Sequence, residues 1–226
     1  MKRSTFFAAM GGIPFIMNAC KADSSQNAES SQDAVVKLSR EEIKARSFNE
    51  LFKAIDAKEL QEGVFTLLAN EDSSALTSGT PSHYNTMIAG WGGMGILFNK
   101  PTVFHMLRSN RYTLELMRKE NSYSMTFFDA EFKEDYMQFG MSSGRDSDDK
   151  MKNTKLTAIQ TPTGNMTFKE AKLILECKLT QVTTVSPDDF LIEEDKTFVV
   201  DAYAEANDYH KMVFGEVTNV WICKLN

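Results

Sequence analysis

Basic blocks are missing from this chain. It carries 25 Lys and Arg against 31 Asp and Glu, a net charge of −6 at pH 7, so the electrostatic footprint of a nucleic-acid binder is absent. The acidic balance serves solubility. Cysteine is scarce, with 3 in the whole sequence, as is histidine, also with 3. There is no Cys-rich zinc pattern and no paired-His spacing. The apolar run from Phe6 to Met17 is too short to span a bilayer as a stable helix. No internal repeat, catalytic triad or metal cluster is visible. What remains is an ordinary globular composition, 42% hydrophobic and 25% charged over 226 residues, enough for one sizeable domain with a core.

The first residues read as an export signal. Lys2 and Arg3 precede the apolar run, giving a charged n-region and an h-region of secretory length. The run ends in Met17-Asn18-Ala19-Cys20, which resembles a bacterial lipoprotein signal whose cysteine is acylated. That resemblance implies a signal peptide over 1–20, lipidation at Cys20, and an exported, membrane-anchored protein on the periplasmic or cell-surface side. Met17 and Asn18 depart from the usual pattern, and an ordinary cleaved signal peptide is the alternative. Acyl chains contribute about 0.8 kcal/mol per buried CH₂, so several would anchor the protein firmly. Residues 21–38 are polar, without an aromatic, and read as a flexible tether. This leaves 39–226 as a single folded domain. Export makes a Cys177–Cys223 disulfide conceivable, but each lies in an apolar strand pattern, which favours two separate core thiols.

Ser39 with Glu41 and Glu42 starts a helix over Glu41 to Phe52, followed by a short turn at Ala57 to Gln61. Strands are expected over Val64–Ala69, Tyr84–Gly90, Pro101–Leu107 and Tyr123–Phe128. Glu71 to Ser82 is polar and reads as a loop. A helix capped at Ser109 or Asn110 runs through Leu114 and Met117 to about Asn121. Asp129 to Gly140 is helical around Phe132–Tyr136, and a short helix starts among the aspartates after Ser142. Leu173, Leu175, Cys177 and Leu179 alternate with Lys172, Glu176, Lys178 and Thr180, a strand with one wet face. Pro187 to Asp195 is a polar connection. His210 to Lys224 forms one long strand, or two joined by a bend at Gly215. Many strands with few helices and no regular βαβ alternation predict a mainly β fold, an antiparallel sheet closed into a barrel.

Four elements are candidates for chemistry. Arg108, Arg111, Tyr112 and Thr113 lie where a strand gives way to a helix, whose free N–H groups favour an anion such as phosphate. A capped, solvated helix start explains the same residues. The segment Tyr84 to Lys100 places Gly90, Gly92, Gly93 and Gly95 around Trp91, so that backbone can approach a flat ligand; a sharp barrel corner explains it equally well. Ser142 to Asp146 offers a backbone N–H cluster beside Arg145, or a plain surface turn. His210 stands on a strand, five residues before Gly215-Glu216, where a lone histidine is usually structural.

Taken together, "YNTMIAGWGGMGILFNKP", "LRSNRYTLE", "SSGRDSDDK…LT", "EAKLILECKL" and "DYHKMVFGEV" resemble, in order and spacing, the flavin reductase-like, flavoredoxin-type FMN-binding split-barrel proteins. The likeness covers about Val64 to Val220. It implies a Greek-key FMN-binding split β-barrel with a few peripheral helices, a homodimer, and FMN near the subunit interface. By the same resemblance Asn85, Thr86, Met87, Ile88, Ala89, Gly90 and Trp91 hold the isoalloxazine edge. Arg108, Arg111, Tyr112 and Thr113 hold the phosphate end, and Ser143, Gly144 and Arg145 lie near the flavin or the partner subunit's site. His210 matches the histidine near a bound nicotinamide, the catalytic position. Two departures stand out. Ile88-Ala89-Gly90-Trp91 replaces the usual Thr-Ala-Ser-Trp, removing two hydroxyls, and the loop Arg145 to Lys150 carries one extra residue.

The resemblance implies an FMN flavoprotein with NAD(P)H:flavin oxidoreductase activity, NAD(P)H being the substrate. A non-enzymatic exported electron carrier with a redox partner protein is the alternative, since NAD(P)H is a cytosolic reductant. A barrel that has lost tight FMN binding is the third reading. The membrane enters only through the lipid anchor.

Overall fold

In a computed structural model, which describes residues 38–60, 63, 67, 74–146, 149–206 and 208–224, the folded part opens on two capping boxes. The expected helix over 41–52 is divided. Ser39 and Glu42 cap α1 (Arg40–Ala45), and Ser47 and Glu50 cap α2 (Phe48–Leu51). A second Ser-x-x-Glu so close to the first restarts the helix. The chain then enters β1 (Phe52–Ile55) and a 3₁₀ turn at Ala57–Glu59. The strand expected at Val64–Ala69 falls outside the described residues, apart from Leu67, which is helical and buried. Cys20 and the tether up to residue 37 also lie outside them.

The later elements are, in order, β2 (Ser74–Thr80), β3 (His83–Ala89), β4 (Gly92–Leu97), β5 (Lys100–Arg108), α3 (Tyr112–Glu120), β6 (Ser122–Phe128), α4 (Lys133–Met141), α5 (Asp149–Asn153), β7 (Ala158–Gln160), β8 (Met166–Phe168), β9 (Ala171–Thr184), α6 (Glu193–Tyr203) and β10 (His210–Cys223). The loop expected over 71–82 is instead β2, an interior strand between β3 and β6. Its polar residues fit there because each hydroxyl finds a partner. Ser74 Oγ donates to Ala89 O at 2.8 Å, Thr77 Oγ1 pairs with Thr86 Oγ1 at 3.0 Å, and Ser78 Oγ donates to Ser122 O at 2.7 Å. Bonded hydroxyls carry little burial penalty.

The sheet runs β3-β2-β6-β9-β10-β5-β4, with every pairing antiparallel. Its two end strands, β3 and β4, are joined by only Gly90 and Trp91, so the sheet must curl until its ends meet. Met106 N–H, on β5, donates to Trp91 O at 3.0 Å at that seam. β10, as long as β9 at 14 residues, is the spine. One edge pairs with β9; the other is shared by β5 over His210–Glu216 and β1 over Val220–Cys223. It is continuous, with register shifts at Phe214/Gly215 and Val217/Asn219.

Both faces of this curled sheet are covered. One core holds Leu76, Val103, Leu107, Leu114, Met117, Tyr123, Met125, Leu173 and Leu175. The other packs Phe48, Phe52, Phe128, Tyr136, Phe139, Phe168 and Ile174. The face of β9 read as wet is therefore dry at its centre, and Glu176 is fully buried. Cys177 and Cys223 are not joined in a disulfide, and Cys177 is a buried core thiol. Among the described residues, no helix is long and apolar enough to cross a membrane.

Candidate functional site

A cavity of about 400 Å³ opens beside the seam. Its walls come from the end of β3 and the turn into β4, the end of β5 with the start of α3, the end of α4 with the loop after it, and the start of β10.

β3 contributes Asn85, Met87, Ile88 and Ala89, and the turn adds Gly90 and Trp91. Asn85 is buried, and its Nδ2 donates to Thr113 Oγ1 at 2.8 Å, which ties β3 to the first turn of α3. Thr86 does not reach the cavity. Side chains alternate along a strand, and its hydroxyl is spent on Thr77. Of the four clustered glycines, only Gly90 lines the cavity. Gly92 answers to β5: a Cβ there would lie 2.2 Å from Phe104 O. The glycine cluster thus serves strand packing as much as any ligand.

β5 and α3 contribute Arg108, Arg111, Tyr112 and Thr113. Arg111 is the N-cap of α3 in an extended conformation, and its own side chain makes no capping bond. The first-turn N–H groups of a helix lack intrahelical partners. Arg108 is already engaged: its Nε donates to Asp208 Oδ2 at 2.7 Å, and its guanidinium carbon lies 5.8 Å from the centre of the Tyr203 ring. Asp208 also accepts from Ser109 N–H at 3.0 Å and from the Ser109 hydroxyl. Burial pulls the Asp208 carboxyl up, but the bonds from Ser109 and Arg108 outweigh it and hold it below the usual range. The Tyr112 hydroxyl pairs with His83 Nε2 at 2.6 Å, a partner that nothing in the sequence singled out.

The α4 side contributes Ser143 and Gly144 as expected, and Phe139, Gly140 and Ser142 besides. A Cβ on Gly144 would lie 2.0 Å from Asn85 Oδ1, so only glycine fits this contact. Arg145 turns away from the cavity. Its guanidinium pairs with Glu115 at 2.9 Å and stacks 5.1 Å over the Tyr112 ring. The cation that does reach the wall is Lys150, at 5% exposure, in the first turn of α5. Its Nζ donates to Phe139 O at 3.0 Å and Ser142 O at 3.2 Å. Burial, and then the nearby Arg111 charge, lower its pKa to about 8.

His210 stands at the mouth between two rings, Trp91 at 5.2 Å and Tyr203 at 4.7 Å. Burial, then Arg108, set against Asp208, and Arg111 lower it below the ordinary imidazole range. Because Asp208 matches Arg108, the positive field of the cavity comes mainly from Arg111 and Lys150. No carboxylate of the described residues is paired with either. Met87, Ile88, Ala89, Leu107 and Phe139 supply apolar wall. The cavity suits a molecule with a flat apolar body and an anionic end.

Solved structures of similar shape bear on this arrangement. An FMN-binding protein from Thermus thermophilus with bound 1-cyclohex-2-enone is 18% identical, with a TM-score of 0.52, over 74% of this chain and 80% of that one. An FMN-binding domain of a flavin reductase-like enzyme from Shewanella baltica OS155 is 15% identical, with a TM-score of 0.53, over 76% of each chain. A flavoredoxin of Desulfovibrio vulgaris (Miyazaki F) is 16% identical, with a TM-score of 0.51, over 76% of each. At these identities the likeness shows the fold, the flavin reductase-like split barrel. No curated protein is significantly similar to the chain. Residues 74–225, most of the folded part, match the family model of the flavin reductase like domain, and the chain belongs to that family.

Proposed function

We propose that this domain binds FMN in the cavity beside the seam and acts as a redox flavoprotein, with NAD(P)H:flavin oxidoreductase activity as the first reading. The observation that carries it is the pairing, in one cavity, of an apolar strip on β3 with two cations, Arg111 at the start of α3 and Lys150 beside the end of α4. The residues present fit such a molecule. Arg111 and the first-turn N–H groups of α3 would take the phosphate. The backbone from Asn85 to Trp91 would frame the ring, and Gly144, seated on Asn85, leaves that contact free of side-chain bulk.

Once bound, FMN supplies the hydride and electron transfer, while the protein supplies position and electrostatics. His210, kept neutral, adds no charge at the mouth and leaves the cationic end of the cavity at Arg111 and Lys150. Ile88 and Gly90 offer no hydroxyl where the resemblance implies two, and each missing bond weakens the grip by about 0.5–1.5 kcal/mol.

A specific observation favours the second reading, a carrier that exchanges electrons with a partner protein. His210, the residue expected beside a nicotinamide, is flanked by Trp91 on one side and by Tyr203 from α6 on another. Export through a lipid anchor at Cys20 would separate the domain from cytosolic NAD(P)H in the same direction. A homodimer completes this reading.

Anaerobic addition of NADH or NADPH to the FMN-loaded chain separates the two. Rapid loss of the oxidised-flavin absorbance supports the oxidoreductase; reduction by dithionite alone supports the carrier. Arg111→Ala is expected to weaken FMN binding about 10- to 100-fold, the value of one charge-assisted bond, read by flavin fluorescence titration. Gly144→Ala should weaken it at least about tenfold, by displacing the 142–146 loop from Asn85. Unchanged affinity in both variants would remove the cavity from the account.

A further inference from the structure

The net charge of this chain is concentrated in one place. The segment 185–206, between β9 and β10, holds seven of the 31 acidic side chains and one of the 25 basic ones, so the rest of the chain, with 24 of each, is neutral. The segment carries α6, an 11-residue helix none of whose residues is buried. A helix of that length is marginal by itself. Three large apolar side chains of the segment face solvent: Leu191 is 100% exposed, Ile192 61% and Phe198 62%. The helix dipole accounts for Glu193, Glu194 and Asp195 in the first turn, but it disfavours Asp201 and Glu205 near the other end. Among the described residues, the one ion pair inside the segment joins Lys196 to Asp188, at 3.8 Å. Both the charge and the apolar side chains therefore go unmatched within the chain.

The end of α6 is fixed at the cavity mouth. The Tyr203 ring lies 4.7 Å from the His210 ring and 5.8 Å from the Arg108 guanidinium carbon, and Asp208, just after, bonds Arg108 and Ser109. His210 also meets Trp91, which is 55% exposed. Exposed apolar side chains inside a charged rim are the makings of a protein interface. A second copy of this chain brings a like-charged α6 and an otherwise neutral surface. A lipid surface rich in anionic headgroups repels the segment. A basic protein matches it. Resting on the carrier reading above, we infer that α6, with Trp91, is the docking face for a basic one-electron carrier protein, steered to the cavity mouth by the acids of the segment. Each docking passes one electron between the flavin and the partner's redox centre. Re-oxidising a two-electron flavin therefore takes two partner molecules and releases its protons to water.

Calorimetric titration of the flavin-free full chain tests this, with lysine-rich cytochrome c as the basic probe and plant-type ferredoxin as the acidic one. Cytochrome c is expected to bind with a dissociation constant below about 100 μM at about 10 mM salt and at least about tenfold more weakly at about 150 mM; ferredoxin is expected not to bind. The triple variant Glu193→Gln, Glu194→Gln, Asp195→Asn should weaken cytochrome c at least about tenfold at low salt. Phe198→Ser keeps every charge and alters an exposed side chain. It should weaken binding at least about fivefold without changing the salt dependence, and Phe198→Leu should restore it. No binding of cytochrome c, or unchanged binding by the triple variant, would overturn the inference. A loss in the triple variant with none in Phe198→Ser would overturn it too, since net charge alone would then attract the probe. Sedimentation in which Phe198→Ser turns a dimer into a monomer would give the face to a second copy instead. FMN titration of the same variants should be unchanged. A chain that binds cytochrome c through α6 but not FMN keeps the docking face and loses the flavin reading; a chain that binds FMN but not cytochrome c loses the docking face alone.

Discussion

Acidification is expected to unfold this domain early, at about 1.4 kcal/mol of lost stability per pH unit through His105 alone. His105 is 1% exposed inside the barrel, with Nε2 3.2 Å from the hydroxyl of the fully buried Tyr123. Burial penalises the imidazolium and lowers its pKa from 6.5 to about 3. Between those values the unfolded chain takes a proton that the folded chain refuses, so stability falls as pH drops through the window and is fully present above 6.5. Carboxylates elsewhere also titrate in acid, so the comparison is with His105→Gln, which keeps a partner for Tyr123 and cannot titrate. Urea unfolding at several pH values should show wild-type protein losing stability faster than the variant across the window, with the curves parallel above 6.5. Parallel curves throughout would mean His105 is solvated or already charged in the folded state.

Glu176→Ala should cost about 4 kcal/mol, among the larger effects of a single substitution. Glu176 is completely buried, and its Oε1 accepts from the hydroxyls of Thr161 and Thr163 and from Asn165 Nδ2 at 2.9 Å. Its Oε2 accepts from Trp221 Nε1 at 2.8 Å. One carboxylate thus ties the β7–β8 hairpin to β9 and β10. Alanine leaves those donors without an acceptor, at about 1–3 kcal/mol for each one that cannot find another partner. Glu176→Gln should cost about 1–2 kcal/mol, because the two threonine hydroxyls can rotate to accept from the amide. The check is denaturant midpoints at constant m-value. A loss below about 1 kcal/mol for the alanine variant would show that the hairpin is held by its apolar contacts instead.

Glu176 also shows where sequence reading stops. Alternation along Leu173, Leu175 and Cys177 predicts the strand correctly, because period two is a property of the strand itself. Whether the other face is wet depends on what packs over it, and here the preceding hairpin 158–168 folds back over it while Trp221 reaches in from β10. β2 was hidden for a related reason. Its serines and threonines look like a loop until Ala89, Thr86 and Ser122 are known to receive their hydroxyls. By contrast, α3 was legible from local signals, ending at a left-handed Asn121, although its N-cap is Arg111 and not the expected Ser109 or Asn110, the Ser109 hydroxyl being bonded to Asp208 instead. α6 was not, since none of its residues is buried and no apolar stripe marks it.

The site was read mainly from the order of motifs. The structure brings Asn85, Met87 to Trp91, Arg108, Arg111 to Thr113, Ser143, Gly144 and His210 to one cavity, and leaves out Thr86 and Arg145. Arg145 and Lys150 are both cations of one polar loop, and composition cannot say which turns inward. The turn at 143–146 and the start of α5 decide it, by bringing Lys150 under the end of α4 and Arg145 over Tyr112.

The most direct test of the flavin reading is an equilibrium titration of the full chain with FMN, followed by flavin fluorescence. The account predicts saturable binding of one flavin per chain, with a dissociation constant below about 10 μM, weakened in Arg111→Ala. No saturable binding up to about 100 μM FMN would contradict it.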